Sequence, residues 1–142
     1  MTNWTERAES ISQIFSEIYY RCHPSFTVSL THQAVRALQY LGMNSQNTVS
    51  DVAQYLNCAH NTASEVLRRL GEKGLILRQR SKVDERIVEV QLTDEGKRVL
   101  AEHTGLDIDK LAACMKTMPE QELQIVQQGL NLLLGYMREQ HK

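Results

Sequence analysis

Apolar residues recur at helical spacing along most of this chain, and the clearest run lies in its middle. Val49, Val52, Ala53 and Leu56 fall at i, i+3, i+4 and i+7, and Ala63, Val66, Leu67 and Leu70 repeat that spacing. Two amphipathic helices are predicted, separated by little more than Asn57, Cys58 and Ala59. Thr48 or Ser50 suits the first as a cap, and Gly74 offers the left-handed residue that ends the second. So short a gap suits a helix-turn-helix, in which the second helix is presented to a DNA groove while the first braces it. Beyond Gly74 the period changes. Leu75 to Leu77 is apolar, Arg78 to Arg86 is polar and mostly basic, and Val88, Val90 and Leu92 alternate with Glu89 and Gln91. A period of two around a charged tip predicts a hairpin.

The flanks are helical by the same test. Ile11, Ile14, Phe15, Ile18 and Tyr19 form one stripe between Thr5 and Cys22, which should end before His23-Pro24. A second helix is expected over Thr27 to Leu41, capped by Thr31 and stopped by Gly42, with a polar connection from Met43 to Thr48. After the hairpin, Thr93 caps a long helix reaching Met118, with Gly105, Asp107 and Asp109 weakening its middle. Thr117-Met118-Pro119-Glu120 has the form of a capping box that opens a last helix to about Glu139. The apolar residues of that helix, from Leu123 and Ile125 to Leu134 and Met137, cover more than one stripe. A surface so wide exceeds what one neighbour buries, which predicts a second copy of the chain against it.

A helix-turn-helix followed by a hairpin is a winged helix, and here the run resembles the multiple-antibiotic-resistance-regulator (MarR) family of bacterial transcription factors. The residues that carry the resemblance are Leu70, Gly74, Leu75 and Ile76, the wing motif Asp84-Glu85-Arg86, and Leu92-Thr93-Asp94-Glu95-Gly96. The resemblance implies a mostly α fold with a small β-hairpin wing, residues 30–92 forming the winged helix-turn-helix. Residues 1–24 and 97–142 would be dimerisation helices, all within one domain of residues 1–142. It further implies a dimeric repressor, released from DNA by a small aromatic ligand or, in the alternative, by oxidation of cysteine.

Charge sharpens the picture. The net charge is −1, yet between His60 and Arg86 seven Lys/Arg face four acids, a local +3 that leaves about −4 elsewhere. Turning Ala63, Val66, Leu67 and Leu70 inward leaves His60, Asn61, Thr62, Ser64, Glu65, Arg68 and Arg69 outside. Asn61, Ser64 and Arg68 are candidates for base edges or phosphates, Thr62 for a phosphate. Glu65 is out of pattern, because an acid there repels phosphate unless it accepts from a cytosine amino group or pairs with a neighbouring Arg. The wing adds Arg78, Arg80, Lys82 and Arg86. By resemblance Arg86 enters the minor groove, with Asp84 orienting it or an Arg of the recognition helix. A C2 dimer would set two recognition helices about 34–36 Å apart and read a pseudo-palindrome in double-stranded DNA.

A ligand pocket, placed by resemblance between the winged helix and the dimer helices, would draw on Tyr19, Tyr20, Arg21, His23, His32 and Tyr40. Cys58 and Cys114 are expected as buried structural thiols, and Cys22, beside Arg21 and His23, is the redox candidate. No CxxC pair, metal-ligand spacing, nucleotide loop or nucleophile motif is present, so no disulfide framework, metal, cofactor or enzymatic activity is expected. There is no signal-like start and no apolar run near 18 residues, which points to a cytoplasmic protein without a membrane partner. The competing class is a winged helix used for protein contact, in which reversing Arg68, Arg80 and Arg86 would have little effect.

Overall fold

A computed structural model describes residues 2–140. In chain order the elements are α1 Trp4–Arg21, α2 His32–Met43, β1 Asn47–Thr48, α3 Val49–Leu56, α4 His60–Glu72, β2 Ile76–Arg80, β3 Val88–Leu92, α5 Asp94–Thr104, α6 Ile108–Met115 and α7 Glu120–Gln140. The fold is mostly α with a small sheet, and it divides into two compact units.

The first unit is His23–Leu106. Its core is one apolar cluster in which Leu38, Val52, Leu67, Leu70, Leu75, Val90 and Val99 are fully buried. Apart from Leu75, in the bend before β2, these are the inward positions of α2, α3, α4, β3 and α5, so the 3.6 and 2.0 periods of the sequence converge on one interior. Thr48 and Asp51 close a reciprocal capping box at the start of α3. Asn57, at φ 53°, ends that helix and turns the chain into α4. Gly74, at φ 77°, starts the sharp exit toward β2.

Three sequence expectations need correction here. The polar connection holds a short strand, β1, which pairs antiparallel with β3 so that the sheet order is β1-β3-β2. Gly42 lies inside α2 rather than stopping it: the helix runs to Met43 and Asn44 follows as its C-cap. Gly42 faces α5, where an added Cβ would stand 3.0 Å from Leu100 Cδ2. Finally, the long helix after the wing is two helices. Gly105 leaves helical geometry at ψ −172° after Thr104, and Asp107 caps α6 by accepting from Lys110 N. The first of the two, α5, packs on α2 and β3, so residues 97–106 join the winged-helix unit instead of the flanking helices.

Contact between α5 and the strand is close. Thr93 caps α5, accepting from Gly96 N at 2.9 Å while donating to Gly74 O at 2.7 Å. A Cβ on Gly96 would meet Leu75 O at 2.1 Å.

The second unit joins α1 with α6 and α7, and Asp107 N donates to Cys22 O at 2.7 Å within it. None of its helices contains a buried residue in the isolated chain. Ile14 and Phe15 of α1 and Ile125, Leu130 and Leu132 of α7 are all more than half exposed. Among the described residues, no helix is long and apolar enough to cross a membrane.

Candidate nucleic-acid interface

The candidate interface centres on α4. Ala63, Leu67 and Leu70 anchor its inner face, and Val66 packs beside them. The opposite stripe is Asn61, Glu65, Arg68 and Glu72, all exposed. Its first turn has no side-chain cap, because Ala59 stands at the N-cap. The leading N–H groups are thus open to an anion, with the helix dipole behind them.

The flanks of α4 lead in two directions. On the wing side, Arg78 donates from Nη2 to Ser64 O at 2.7 Å, tying β2 to the middle of the helix. His60 and Arg86 line one cavity of about 470 Å³ with Thr48, Ser50 and Val88, so the starts of α3 and α4 open toward the wing. On the other side, Thr62, Glu65, Arg69 and Lys73 line a cavity of about 560 Å³ facing Thr31 and Gln33 at the start of α2.

The wing is braced by its own side chains. Ser81 is buried, and its Oγ accepts from Val83 N at 3.2 Å and Asp84 N at 3.3 Å. Arg80 donates across the hairpin to Glu85 O at 2.8 Å. Arg86 donates from Nε and Nη2 to the two oxygens of Asp84, both at 3.1 Å. That hydrogen bond holds the Asp84 carboxyl below its usual range. Lys82 and Val83 stand exposed at the tip.

Glu65 lies in a network. Arg68 grips it with Nη2 at 2.6 Å and Nε at 2.9 Å, and Arg69 reaches it at 3.2 Å. Arg68 also donates from Nη1 to Glu72. The Arg68 hydrogen bond is the largest cause that draws the Glu65 pKa from 4.5 to about 2. Glu72 was not singled out by sequence, though its i, i+4 spacing from Arg68 was the available signal. Ser81 was likewise missed, since a lone serine in a charged tip gives no sign of burial.

The residues expected to form a ligand pocket belong to both units. Tyr40 stacks on Tyr55 at 4.8 Å, under the Arg36 guanidinium. His23 leans on Phe26, whose ring stacks on His103 at 3.9 Å. His32 is exposed at the first position of α2, while Tyr19 and Tyr20 belong to the helical unit with Arg21, which pairs with Glu17. Neither cavity described above is lined by Tyr19, His23, His32 or Tyr40. Cys58 packs against the core as a half-buried thiol. Cys114 is exposed, against expectation, because the helix that carries it buries none of its residues within one chain. Cys22 is half-buried.

Residues 30–96 match the winged helix DNA-binding domain family. The chain is 28% identical over 99 residues to the HTH-type transcriptional regulator YfiV of Bacillus subtilis, covering 70% of this chain and 62% of that protein's length. It is 26% identical over 114 residues to the organic hydroperoxide resistance transcriptional regulator of the same organism, covering 80% of this chain and 76% of that protein. Among solved structures, a MarR-like transcriptional regulator from Thermotoga maritima superposes with TM-score 0.64 at 18% identity, over 97% of this chain and 99% of that one. Streptococcus pneumoniae FabT in complex with DNA gives TM-score 0.58 at 22% identity, over 96% and 99%.

Proposed function

We propose that this chain, a winged-helix DNA-binding protein of the MarR type, is a dimeric transcriptional repressor acting in the cytoplasm on a pseudo-palindromic operator. The observation that carries the reading is the pairing of an uncapped, polar-faced α4 with a wing whose Arg86 is held by Asp84 yet 90% exposed. In this reading α4 enters the major groove, and its open N–H groups with Thr62 receive a backbone phosphate. Arg86, pre-set by Asp84, enters the minor groove, where A·T-rich DNA is most negative. The exposed apolar faces of α1 and α7 are covered by the second copy, which fixes the separation of the two α4 helices. A dimer seated on a promoter excludes polymerase, and a small aromatic ligand that changes that separation releases it.

Gel shifts and footprinting on the gene's own upstream region test this. A protected, two-fold symmetric site overlapping the promoter is expected, with transcription rising when the gene is deleted. A footprint well upstream with transcription falling on deletion would argue for activation. No retarded complex at low salt would sink the DNA reading.

A second release route has one observation in its favour, the similarity to a regulator of organic hydroperoxide resistance. In that route Cys22, at the end of α1, is oxidised and DNA binding is lost. Peroxide-induced loss that persists in Cys22→Ser removes this residue from consideration.

A further inference from the structure

The stripe of α4 that points away from the core carries more acid than base, which is the reverse of what a phosphate-seeking surface needs. Asn61, Glu65, Arg68 and Glu72 succeed one another along it, and its one guanidinium is already engaged on three N–H groups. A guanidinium has five. Nε and one hydrogen of Nη2 go to the two oxygens of Glu65, and one hydrogen of Nη1 goes to Glu72. Arg69 adds a further hydrogen bond to Glu65 from the flank.

Resting on the DNA reading above, we propose that Glu65 is a specificity-determining residue that reserves Arg68 for one guanine in each half-site. An unpaired Arg on this face would take any phosphate, and phosphate contacts carry no sequence information. Two carboxylates at the same place repel a phosphate approaching Arg68. The guanine edge is different, since O6 and N7 are neutral acceptors and bring no further negative charge toward Glu65. Geometry assigns the two acids separate parts. Glu65 holds the Nε–Nη2 side in a fork, leaving the Nη1–Nη2 end of the plane as the edge that meets O6 and N7. Glu72 sits in the last turn, farther from the groove floor than residues near the start of α4, and gives up Nη1 when guanine arrives. Glu65 is thus a positioning residue for Arg68 and a filter against backbone contact.

In vitro selection from a random duplex library tests this with the full chain and with Glu65→Gln, Glu65→Ala and Arg68→Ala. Both positions are solvent-facing, and melting curves identify any variant that fails to fold. The wild-type sites should hold a G·C pair at one position per half-site. Arg68→Ala and both Glu65 variants should lose about tenfold discrimination at that position while the rest of the site is kept. A scrambled duplex should bind the Glu65 variants about tenfold more tightly than wild type, since an acid no longer opposes phosphate. A purely structural role would weaken every position together. The proposal is overturned if the Glu65 variants keep both the guanine preference and the weak scrambled binding. If the wild-type chain enriches no sequence at all, the DNA reading itself fails, a result separable from an enriched site that ignores Glu65.

Discussion

Arg86 and Asp84 face each other across a two-residue step at the wing, joined by two side-chain hydrogen bonds of 3.1 Å, while the arginine remains 90% exposed. Asp84 Oδ1 also accepts from Arg86 N at 3.1 Å, so the carboxylate holds both the backbone and the guanidinium of one residue. An exposed pair of this kind adds little to stability. In the proposed reading, its value is that Arg86 is ordered before it meets DNA. Arg86→Ala should cost about 1–3 kcal/mol of operator binding. Asp84→Asn should cost less, with unchanged melting. Arg86→Lys should fall between wild type and Ala, because an ammonium keeps the charge but lacks the fork. Fluorescence anisotropy on one labelled site checks all three.

Glu65 has its pKa drawn from 4.5 to about 2, chiefly by the Arg68 hydrogen bond. A carboxyl whose folded pKa is depressed contributes stability that is fully present above its unfolded value, and that is lost as pH falls through the folded one. The Glu65–Arg68 pair therefore persists from neutral pH to well below 4.5 and breaks toward 2. A carboxyl carbon NMR titration should find this midpoint, and Arg68→Ala should return it most of the way to 4.5. A midpoint near 4.5 in the wild-type chain would mean that the network is open in solution.

Most of the winged helix was legible because its elements bury one face each. The i, i+3, i+4 and i+7 spacing of Val49–Leu56 and Ala63–Leu70, and the alternation over Val88–Leu92, read directly onto α3, α4 and β3. What escaped was set by partners distant in sequence. β1 exists because Asn47 and Thr48 pair with Val90 and Glu89, and two residues carry no period of their own. Gly42 looked like a helix stop, yet it faces Leu100 from inside α2, a packing relation that no local pattern reveals. At the site, the outward face of α4 could be read from its inward face, and Glu65 was recognisable as an acid needing a partner. The second carboxylate on Arg68 lay within reach of its i, i+4 spacing, whereas the bracing of the wing by buried Ser81 depends on how the hairpin folds over that side chain.

Gly96 gives a test of the fold that supports the wing. Any side chain there drives Cβ to 2.1 Å from Leu75 O, and that carbonyl already accepts from Thr93 N at 3.1 Å. The strand start and the first turn of α5 must move apart to admit it. Gly96→Ala should destabilise the winged-helix unit by about 1–3 kcal/mol or more, the range for overpacking, despite the better helix propensity of alanine. Gly135→Ala on α7, beside the polar Gln128, Asn131 and Arg138 and with nothing within 4 Å of the added carbon, should be neutral or stabilising by up to about 1 kcal/mol. Urea unfolding monitored by circular dichroism distinguishes the two.

Apolar residues of α7 fall on two stripes: Leu123, Val126, Leu130, Leu133, Leu134 and Met137 on one, Ile125, Leu132 and Tyr136 on the other. The second stripe is the more open in a single chain, at 68%, 64% and 72% exposure. Fully burying one aliphatic side chain contributes about 1.5–3 kcal/mol, and two-fold symmetry counts each residue twice. Ile125→Glu with Leu132→Glu would then remove four such side chains and place charges in their stead, enough to turn a tight dimer into a monomer at micromolar concentration. Sedimentation velocity should show wild type as a dimer and the double variant as a monomer. The monomer should keep a folded winged helix but lose nearly all affinity for a full palindrome, because the two half-sites would bind independently. A double variant that stays dimeric would move the interface to the other stripe of α7 or to α1. A wild-type chain that is monomeric at any reachable concentration would remove the basis for a palindromic operator.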